Sequence, residues 1–231
     1  MASEHVQLRF GKCRQTEDRI IGAAAELFLD RGFKATTIRA TAKAAEVSVG
    51  RVMAVGDKDA LLVRCFDRWI EQLQDGTYTP PPRRGSLSER GSSTAAGSAG
   101  VRASAGASPR DSGPSRPSSA VQRHLLELFL PFLEFFAEHE DLSRDYAAAM
   151  MRVKGEPEVF NTLAVDLQSR LSESLVSIGI NEDHARASAA ALYDSYLGIL
   201  FRWAATTMSL DDAVEAMLAS IVFHTRVRSS L

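Results

Sequence analysis

Few side chains in this chain could bind a metal or catalyse a reaction, and they do not form a recognised site. The run Glu138-His139-Glu140-Asp141 contains possible metal ligands. Adjacent residues of a helix point in different directions, so the run is better explained as a solvated helix end. The sequence has no nucleophile elbow, phosphate loop, dinucleotide fingerprint or HExxH motif. We therefore expect no catalytic residue, no metal site and no cofactor.

Basic and polar side chains that suit binding rather than catalysis lie in the segment TIRATAKAAEVSVGRVMAVGDK, residues 37–58. The helical spacing of its apolar residues predicts two short helices with a tight break between them. Thr37 and Ser48 stand at positions that favour N-caps. The second helix, residues 48–55, is short enough to fit the major groove of DNA. The pattern therefore predicts a helix-turn-helix.

The residue types in this segment suit two kinds of DNA contact. Arg51 can bind O6 and N7 of guanine, and Ser48 and Val49 suit a base edge or the methyl group of thymine. Phosphates bind at helix N-termini and to basic side chains. The candidates for phosphate contacts are Thr37, Arg39 and Lys58.

A longer stretch, residues 19–62, carries a dozen or more residues in a characteristic order. They are Arg19, Ile20, Ala23, Ala24, Leu27 and Phe28, then Gly32, Phe33, Ala35, Thr36 and Thr37, then Ala42, Ala45, Val47, Ser48 and Gly50, and finally Lys58, Ala60 and Leu61. In this order the stretch resembles the DNA-binding domain of the TetR family of bacterial repressors. The resemblance implies an all-α protein in which a fourth helix joins a DNA-binding domain to a helical domain for small, often hydrophobic effectors and for dimerisation.

Three positions depart from the pattern of that family. Glu46 occupies a turn position where the family usually has Gly, and Met53 and Gly56 stand where an aromatic pair usually ends the recognition helix. The Tyr of that pair would donate a hydrogen bond to a phosphate. An alternative interpretation is therefore a ligand-binding dimerisation module whose helix-turn-helix no longer recognises a specific operator.

Composition and charge limit the other classes of function. The 231 residues contain two cysteines and no apolar run of transmembrane length, so we expect neither a disulfide framework nor a membrane span. No signal-peptide segment is evident, which predicts a cytoplasmic protein. Residues 1–58 hold ten Lys and Arg against seven Asp and Glu, whereas residues 120–231 hold nine against sixteen. The end with the predicted motif is thus the basic end, as expected for phosphate binding.

Composition also divides the chain into four parts. Residues 1–15 lack helical periodicity and predict a flexible arm, and residues 16–75 form the helix-turn-helix domain with its connecting helix. Residues 76–119 include 24 Gly, Pro and Ser residues among 44 and predict a disordered linker. This linker is a solvated tether, or its six arginines touch DNA or the acidic domain. Residues 120–231 are predicted to be a helical domain for effector binding and dimerisation.

The second domain has an interior rich in aromatic residues and methionine, which suits an adaptable apolar pocket and equally suits an ordinary core. The candidates for the effector pocket are Trp69, Phe132, Phe136, Met150, Met151 and Trp203. Small residues at Ala185, Ser188 and Ala189, with Trp203 as an anchor, predict a dimer interface on the last two helices or the core of a monomer. These expectations describe a homodimeric repressor that binds a pseudo-palindromic double-stranded DNA operator and is released by an apolar small molecule.

Overall fold

The computed structural model of the chain describes residues 2–79, 117–155 and 157–226, and within these ranges the fold is built from helices without a strand. The N-terminal helices are α1 (Ala2–Ala35), α2 (Ile38–Ala44), α3 (Val49–Val55) and α4 (Lys58–Gln74). The C-terminal helices are α5 (Pro117–Glu138), α6 (Glu140–Met150), α7 (Thr162–Ser177), α8 (Glu182–Ala205) and α9 (Leu210–Arg226). A 3₁₀ turn, Glu158–Phe160, precedes α7. The all-α class expected from the sequence is confirmed.

Helix α1 is longer than the sequence pattern indicates. It begins at Ala2, so residues 2–15 are helical and do not form the expected flexible arm. The physical reason is that this segment contains no Pro and one Gly, so a helix nucleated by the packed part of α1 can extend through it. Gly32, with φ 77°, interrupts the helical backbone where the pattern indicated an end. Ile20, Ala24 and Phe28 form the buried stripe of α1.

The turn between α2 and α3 is closed by backbone hydrogen bonds. The N–H of Val47 donates to the carbonyl of Ala42 at 3.0 Å, and Glu46 between them has φ 54°. This is the left-handed conformation that commonly ends a helix and that Gly adopts at lowest cost. Glu46 therefore performs the conformational role of the missing Gly. Ala42, Ala45 and Val52 are buried and fix the two helices against the domain core.

Helix α4 forms the central element of the described fold. Its side chains Leu61, Leu62 and Cys65 are buried with α1, while Phe66 and Trp69 pack on the aromatic residues of α5 and α6. Burial raises the pKa of the Cys65 thiol, which keeps it protonated and unreactive. Because α4 contacts α1 on one side and α5 and α6 on the other, a movement of the C-terminal helices can be transmitted to the N-terminal helices through α4.

The boundaries of the expected linker shift at both ends. Tyr78 packs edge-on against Phe135 with 5.2 Å between ring centroids, so residues 76–79 continue the folded N-terminal part. Pro117 is the first residue of α5, a position that Pro favours. Residues 117–119 are therefore helical and not part of a linker. The remainder of the expected linker, residues 80–116, lies outside the described residues.

Side-chain caps begin two helices of the C-terminal domain. The side chain of Asn181 accepts a hydrogen bond from the N–H of His184 at 2.9 Å and begins α8. Ser209 and Asp212 exchange the two hydrogen bonds of a capping box before α9. Helix α8 lies between α7 and α9 and packs on both. None of the described helices is long and apolar enough to cross a membrane.

Candidate nucleic-acid interface and effector cavity

Helix α3 presents one face to solvent and anchors the other in the domain core. The Oγ of Ser48 accepts a hydrogen bond from the N–H of Arg51 at 3.2 Å, which fixes the first turn. Val52 is fully buried and prevents rotation of the helix about its axis. The exposed side of α3 consists of Ser48, Val49, Gly50, Arg51, Met53 and Ala54. The three residues expected to contact bases, Ser48, Val49 and Arg51, therefore share this solvent-facing surface.

Arg51 lies close to the long first helix. Its Nη2 is 3.6 Å from the Sγ of Cys13, and both residues are exposed. A thiol is a weak hydrogen-bond acceptor, so this contact holds the guanidinium loosely. The side chain of Arg51 is thus free to exchange Cys13 for a stronger partner such as a guanine edge.

Helix α2 and its N-cap carry two of the three residues expected to contact phosphates. The Oγ1 of Thr37 accepts a hydrogen bond from the N–H of Ala40 at 3.1 Å, and Arg39 is exposed two residues later. The sequence analysis missed Lys43, an exposed cation four residues after Arg39 and hence on the same side of α2. The i, i+4 spacing of the two residues was the signal that could have identified it.

The placement of Lys58 corrects the expectation of a phosphate contact. Its ammonium donates hydrogen bonds to the carbonyls of Phe33 at 3.0 Å and Thr36 at 3.2 Å, and it lies 4.2 Å from the centroid of the Phe33 ring. Both carbonyls follow the break in α1 at Gly32, and that of Phe33 also accepts a hydrogen bond from the N–H of Thr36 at 3.2 Å. Lys58 therefore joins the start of α4 to the end of α1 and is turned toward the protein.

Two departures from the family pattern have structural explanations. Gly56 ends α3, and a Cβ at this position would lie 2.8 Å from the Cβ of Ala60, too close for any side chain without a shift. Met53 is half exposed beside Val49 and gives the outer face of α3 an apolar character. Apolar side chains can pack against thymine methyl groups in the major groove. The turn that contains Glu46 is held by Arg19, whose Nη2 donates to the carbonyl of Ala45 at 2.6 Å.

A cavity of about 40 Å³ lies in the C-terminal domain between α4, α6 and α8. Its walls are mostly apolar and aromatic. The lining residues are Ile70, Phe136, Ser143, Tyr146, Ala147, Met150, Val159, Tyr196, Leu197, Leu200, Phe201, Trp203 and Ala204. This volume holds no more than a few water molecules and is far below that of a pocket for a drug-sized ligand.

Half of the residues proposed from the sequence for an effector pocket line this cavity. They are Phe136, Met150 and Trp203. Trp69 is buried against Phe66 and Phe135, and Phe132 is buried beside Tyr196, so both belong to the surrounding core. Met151 is 78% exposed because it follows the last residue of α6 and points away from the domain. Its assignment to the pocket is corrected.

The sequence analysis missed most of the α8 wall of the cavity. Tyr196, Leu197, Leu200 and Ala204 recur at helical spacing with Trp203 and therefore lie on one side of α8. This periodicity was a usable signal, but the Ala-rich start of α8 drew attention to close helix packing instead. Burial raises the pKa of Tyr146 and Tyr196 well above the ordinary value, so both remain neutral phenols.

Three hydrogen bonds connect α4 to the stretch that runs from the end of α6 to the first turn of α7. Arg152 donates two hydrogen bonds of 2.8 Å to the carboxylate of Asp59, and Gln74 donates one of 2.9 Å to the carbonyl of Leu163. The hydrogen bonds and charge of Arg152 lower the pKa of Asp59. Between these two contacts, backbone N–H groups of the 3₁₀ turn stabilise the charged form of Asp67. The segment thus follows α4 along its length and includes the cavity residue Val159.

The surface expected for dimerisation is only partly available. Ala185 and Ala189 are buried within the protomer, and Trp203 is 5% exposed, so these residues do not offer a surface to a partner. The small residues of α8 permit close packing on its own neighbouring helices instead. Apolar side chains that remain exposed on the last two helices are Phe201, Leu218 and Phe223, the last with 68% of its surface exposed.

No group of three or more His, Cys, Asp and Glu side chains among the residues that the structure describes is arranged to hold a metal ion. His139, which lies in the acidic run, faces the ring of Phe135 at 5.3 Å and lies 3.3 Å from the hydroxyl of Tyr78. The run Glu138-His139-Glu140-Asp141 therefore spans the junction between α5 and α6.

Comparisons with known proteins agree with this geometry. Residues 20–54 match the sequence model of bacterial regulatory proteins of the tetR family. The crystal structure of Thermus thermophilus FadR, a TetR family transcriptional repressor in complex with lauroyl-CoA, superposes with a TM-score of 0.57 at 24% identity, covering 93% of this chain and 97% of that one. A TetR-like transcriptional regulator from Rhodococcus sp. RHA1 gives a TM-score of 0.45 at 20% identity over the same shares. No curated protein matches the chain.

Proposed function

Because this chain belongs to the TetR family of transcriptional regulators, we propose that it is a repressor that binds a pseudo-palindromic DNA operator as a homodimer. The observation that carries the proposal is the exposed face of α3, where Ser48 caps the helix and Arg51 projects from a segment locked by buried Val52. A short helix presented in this way reads base edges in the major groove.

The roles of the individual residues follow from their placement. We assign base contacts to Arg51, Ser48 and Val49, and phosphate contacts to Thr37 and Arg39 on α2. Lys58 supports the domain from within, since its ammonium is bound to backbone carbonyls. A two-fold operator requires two copies of α3 about 34 to 36 Å apart, which a dimer supplies.

An electrophoretic mobility shift assay with the DNA upstream of the gene tests this function. Arg51→Ala should weaken operator binding by about 1 to 3 kcal/mol and should relax the sequence preference, because a bidentate contact to guanine is lost. Arg186→Ala, an exposed arginine on α8, is the matched control and should bind DNA as the unaltered chain does.

Failure to prefer any duplex over random competitor DNA would refute operator recognition. The chain would then be a ligand-binding dimer with a degenerate helix-turn-helix. If Arg51→Ala and Arg186→Ala gave equal losses, the assignment of base reading to Arg51 would be wrong.

We also propose that an apolar small molecule enters the cavity between α4, α6 and α8 and releases the operator. The structurally similar Thermus protein was crystallised with lauroyl-CoA, which contains a long apolar chain. The ligand must bind better to a dimer geometry in which the two recognition helices no longer match the groove spacing. A hundredfold loss of operator affinity requires about 2.7 kcal/mol of differential binding.

The contacts along α4 provide a physical route for this effect. Met150 lines the cavity, and Arg152 two residues later holds Asp59 in the first turn of α4, next to α3. Enlarging the cavity displaces the end of α6 and, through this ion pair, the start of α4. Reorientation of α4 then carries α3 with it.

A further inference from the structure

Asp67 on α4 has a buried polar atom that the described part of the protein leaves unsatisfied. Its Oδ1 is excluded from solvent and has no hydrogen-bond partner among the described residues. A buried acceptor without a partner is unfavourable and therefore unusual in a folded protein. Burial and the nearby carboxylate of Glu158 together raise the pKa of this carboxyl to about 7, against the opposing effect of the N–H groups of Val159 and Glu158. The N–H groups of the 3₁₀ turn thus bind this carboxyl group, but its Oδ1 remains without a partner among the described residues.

The neighbours of Asp67 place it behind the wall of the cavity. Ile70, three residues later on the same side of α4, lines the cavity, as do Tyr146 and Val159. The adjacent Phe66 stacks on Tyr146 with 4.1 Å between ring centroids. The carboxyl group is thus separated from the cavity by the side chains of these residues, which a ligand that enlarges the cavity must displace.

The polar groups around the cavity differ in their capacity to bind a ligand. All three guanidinium nitrogens of Arg144, which stacks over Trp203 at the rim, already donate hydrogen bonds to Glu140 or to the carbonyls of Ala204 and Thr206. Arg144 therefore has little capacity left for an anionic head group. Tyr193 donates to the carbonyl of Val159, and Ser143 donates to that of Phe136. Among the charged groups near the cavity in the described part of the protein, the one with unused hydrogen-bonding capacity is the acceptor Asp67.

The aromatic residues that line the cavity also favour a positively charged ligand. Faces of Phe, Tyr and Trp attract cations, and this attraction is strongest where water is excluded. Phe136, Tyr146, Tyr196 and Trp203 all contribute rings to the cavity. A positive charge that enters this space meets aromatic faces and a carboxylate, whereas a negative charge meets the repulsion of Asp67 and Glu158.

We propose that the effector is an apolar molecule with a basic nitrogen, such as a protonated amine, whose N–H groups bind Asp67 while its apolar part enlarges and fills the cavity. This inference rests on the proposed effector function and specifies its ligand class. The ion pair satisfies the orphaned Oδ1, and formation of such a buried pair is favourable only when both partners are fully hydrogen-bonded.

Isothermal titration calorimetry with three ligands of matched shape tests the proposal. The ligands are phenylbutylamine, phenylbutanol and phenylbutyrate, measured with the full chain at about pH 8. The amine should bind at least about tenfold more tightly than the alcohol or the acid, since a hydrogen bond between charged groups replaces a neutral or repulsive contact. Asp67→Asn keeps the shape of the side chain and should remove this preference without weakening the alcohol.

Asp75→Asn is the matched control, because Asp75 is exposed at the end of the same helix. It should keep the preference for the amine. Equal or tighter binding of phenylbutyrate, or an unchanged preference in Asp67→Asn, would overturn the ligand class and leave the cavity as the effector site. If none of the three ligands bound to the unaltered chain, the proposed effector function would fail together with this inference.

Discussion

At Glu46 the backbone takes a conformation that a side chain disfavours. Its φ of 54° is a left-handed value, and a residue with a Cβ pays roughly 1 to 2 kcal/mol for it relative to the helical region. Arg19 from α1 holds the turn by its hydrogen bond to the carbonyl of Ala45. The helix-turn-helix thus keeps its geometry without Gly because a tertiary contact compensates.

Glu46→Gly is therefore expected to raise the free energy of unfolding by up to about 1 kcal/mol. Gly relieves the backbone strain of the folded state, and the greater conformational entropy that Gly gives the unfolded chain offsets part of this gain. Urea denaturation measures the change. Glu26→Gly makes the same replacement at an exposed helical position of α1 and should lower stability by about 1 kcal/mol. A loss of similar size at both positions would show that Glu46 is not strained. Glu46→Gln controls for the lost charge.

Features that depend on neighbouring residues in the sequence were predictable. The N-caps at Thr37 and Ser48 each depend on a backbone N–H three residues away, so residue type and local pattern sufficed to place them. Met151 shows the limit of this reasoning. A methionine adjacent to an apolar stripe could face inward or outward. Because α6 ends at Met150, the side chain of Met151 lies beyond the helix and is exposed.

At the scale of elements, the first residue of α4, Lys58, joins α4 to the end of α1 and does not face DNA. Lys58 binds the carbonyls of Phe33 and Thr36, which follow the break of α1 at Gly32. Its position at the N-terminus of a helix predicted an anion contact, but sequence alone does not show that the break in α1 lies within reach. The same limit applies to Ala185 and Ala189, whose small size indicated close packing without revealing which helix approaches them.

Lys58→Ala should lower the free energy of unfolding by about 1 kcal/mol, because two carbonyl acceptors and the Phe33 ring lose their cation. It should leave the salt dependence of operator affinity nearly unchanged. Arg39→Ala, at an exposed position on α2, should keep stability and reduce the slope of log affinity against log salt by about 0.9. Thermal unfolding and salt titrations separate the two variants. A reduced slope with unaltered stability in Lys58→Ala would restore the direct phosphate contact.

At the scale of the whole molecule, the excess of basic residues and the exposed apolar side chains of α8 and α9 belong to opposite ends of the sequence. The N-terminal residues carry the basic excess, and the C-terminal residues carry the acidic excess with apolar side chains exposed on α8 and α9. Two copies joined through the latter helices would place the basic ends together on one duplex and double their charge. We propose that the exposed side chains of Leu218 and Phe223 lie in the dimer interface.

Phe223→Glu is expected to convert the dimer to monomer at micromolar concentration, because a charge buried in an apolar interface costs several kcal/mol. Sedimentation velocity measures the distribution of the two species. Val165→Glu is the matched control, since Val165 is 64% exposed but lies on α7. The control should remain dimeric. Two variants that both stay dimeric would place the interface elsewhere.

The small volume of the cavity between α4, α6 and α8 also limits how fast a ligand can enter it. A guest much larger than about 40 Å³ cannot enter until the surrounding helices have separated. Under the effector function proposed above, the rate of operator release is then set by the rate at which these helices separate and not by the rate of encounter with the ligand. A ligand concentration that already exceeds this limit, when raised further, should give more complete release but no faster onset.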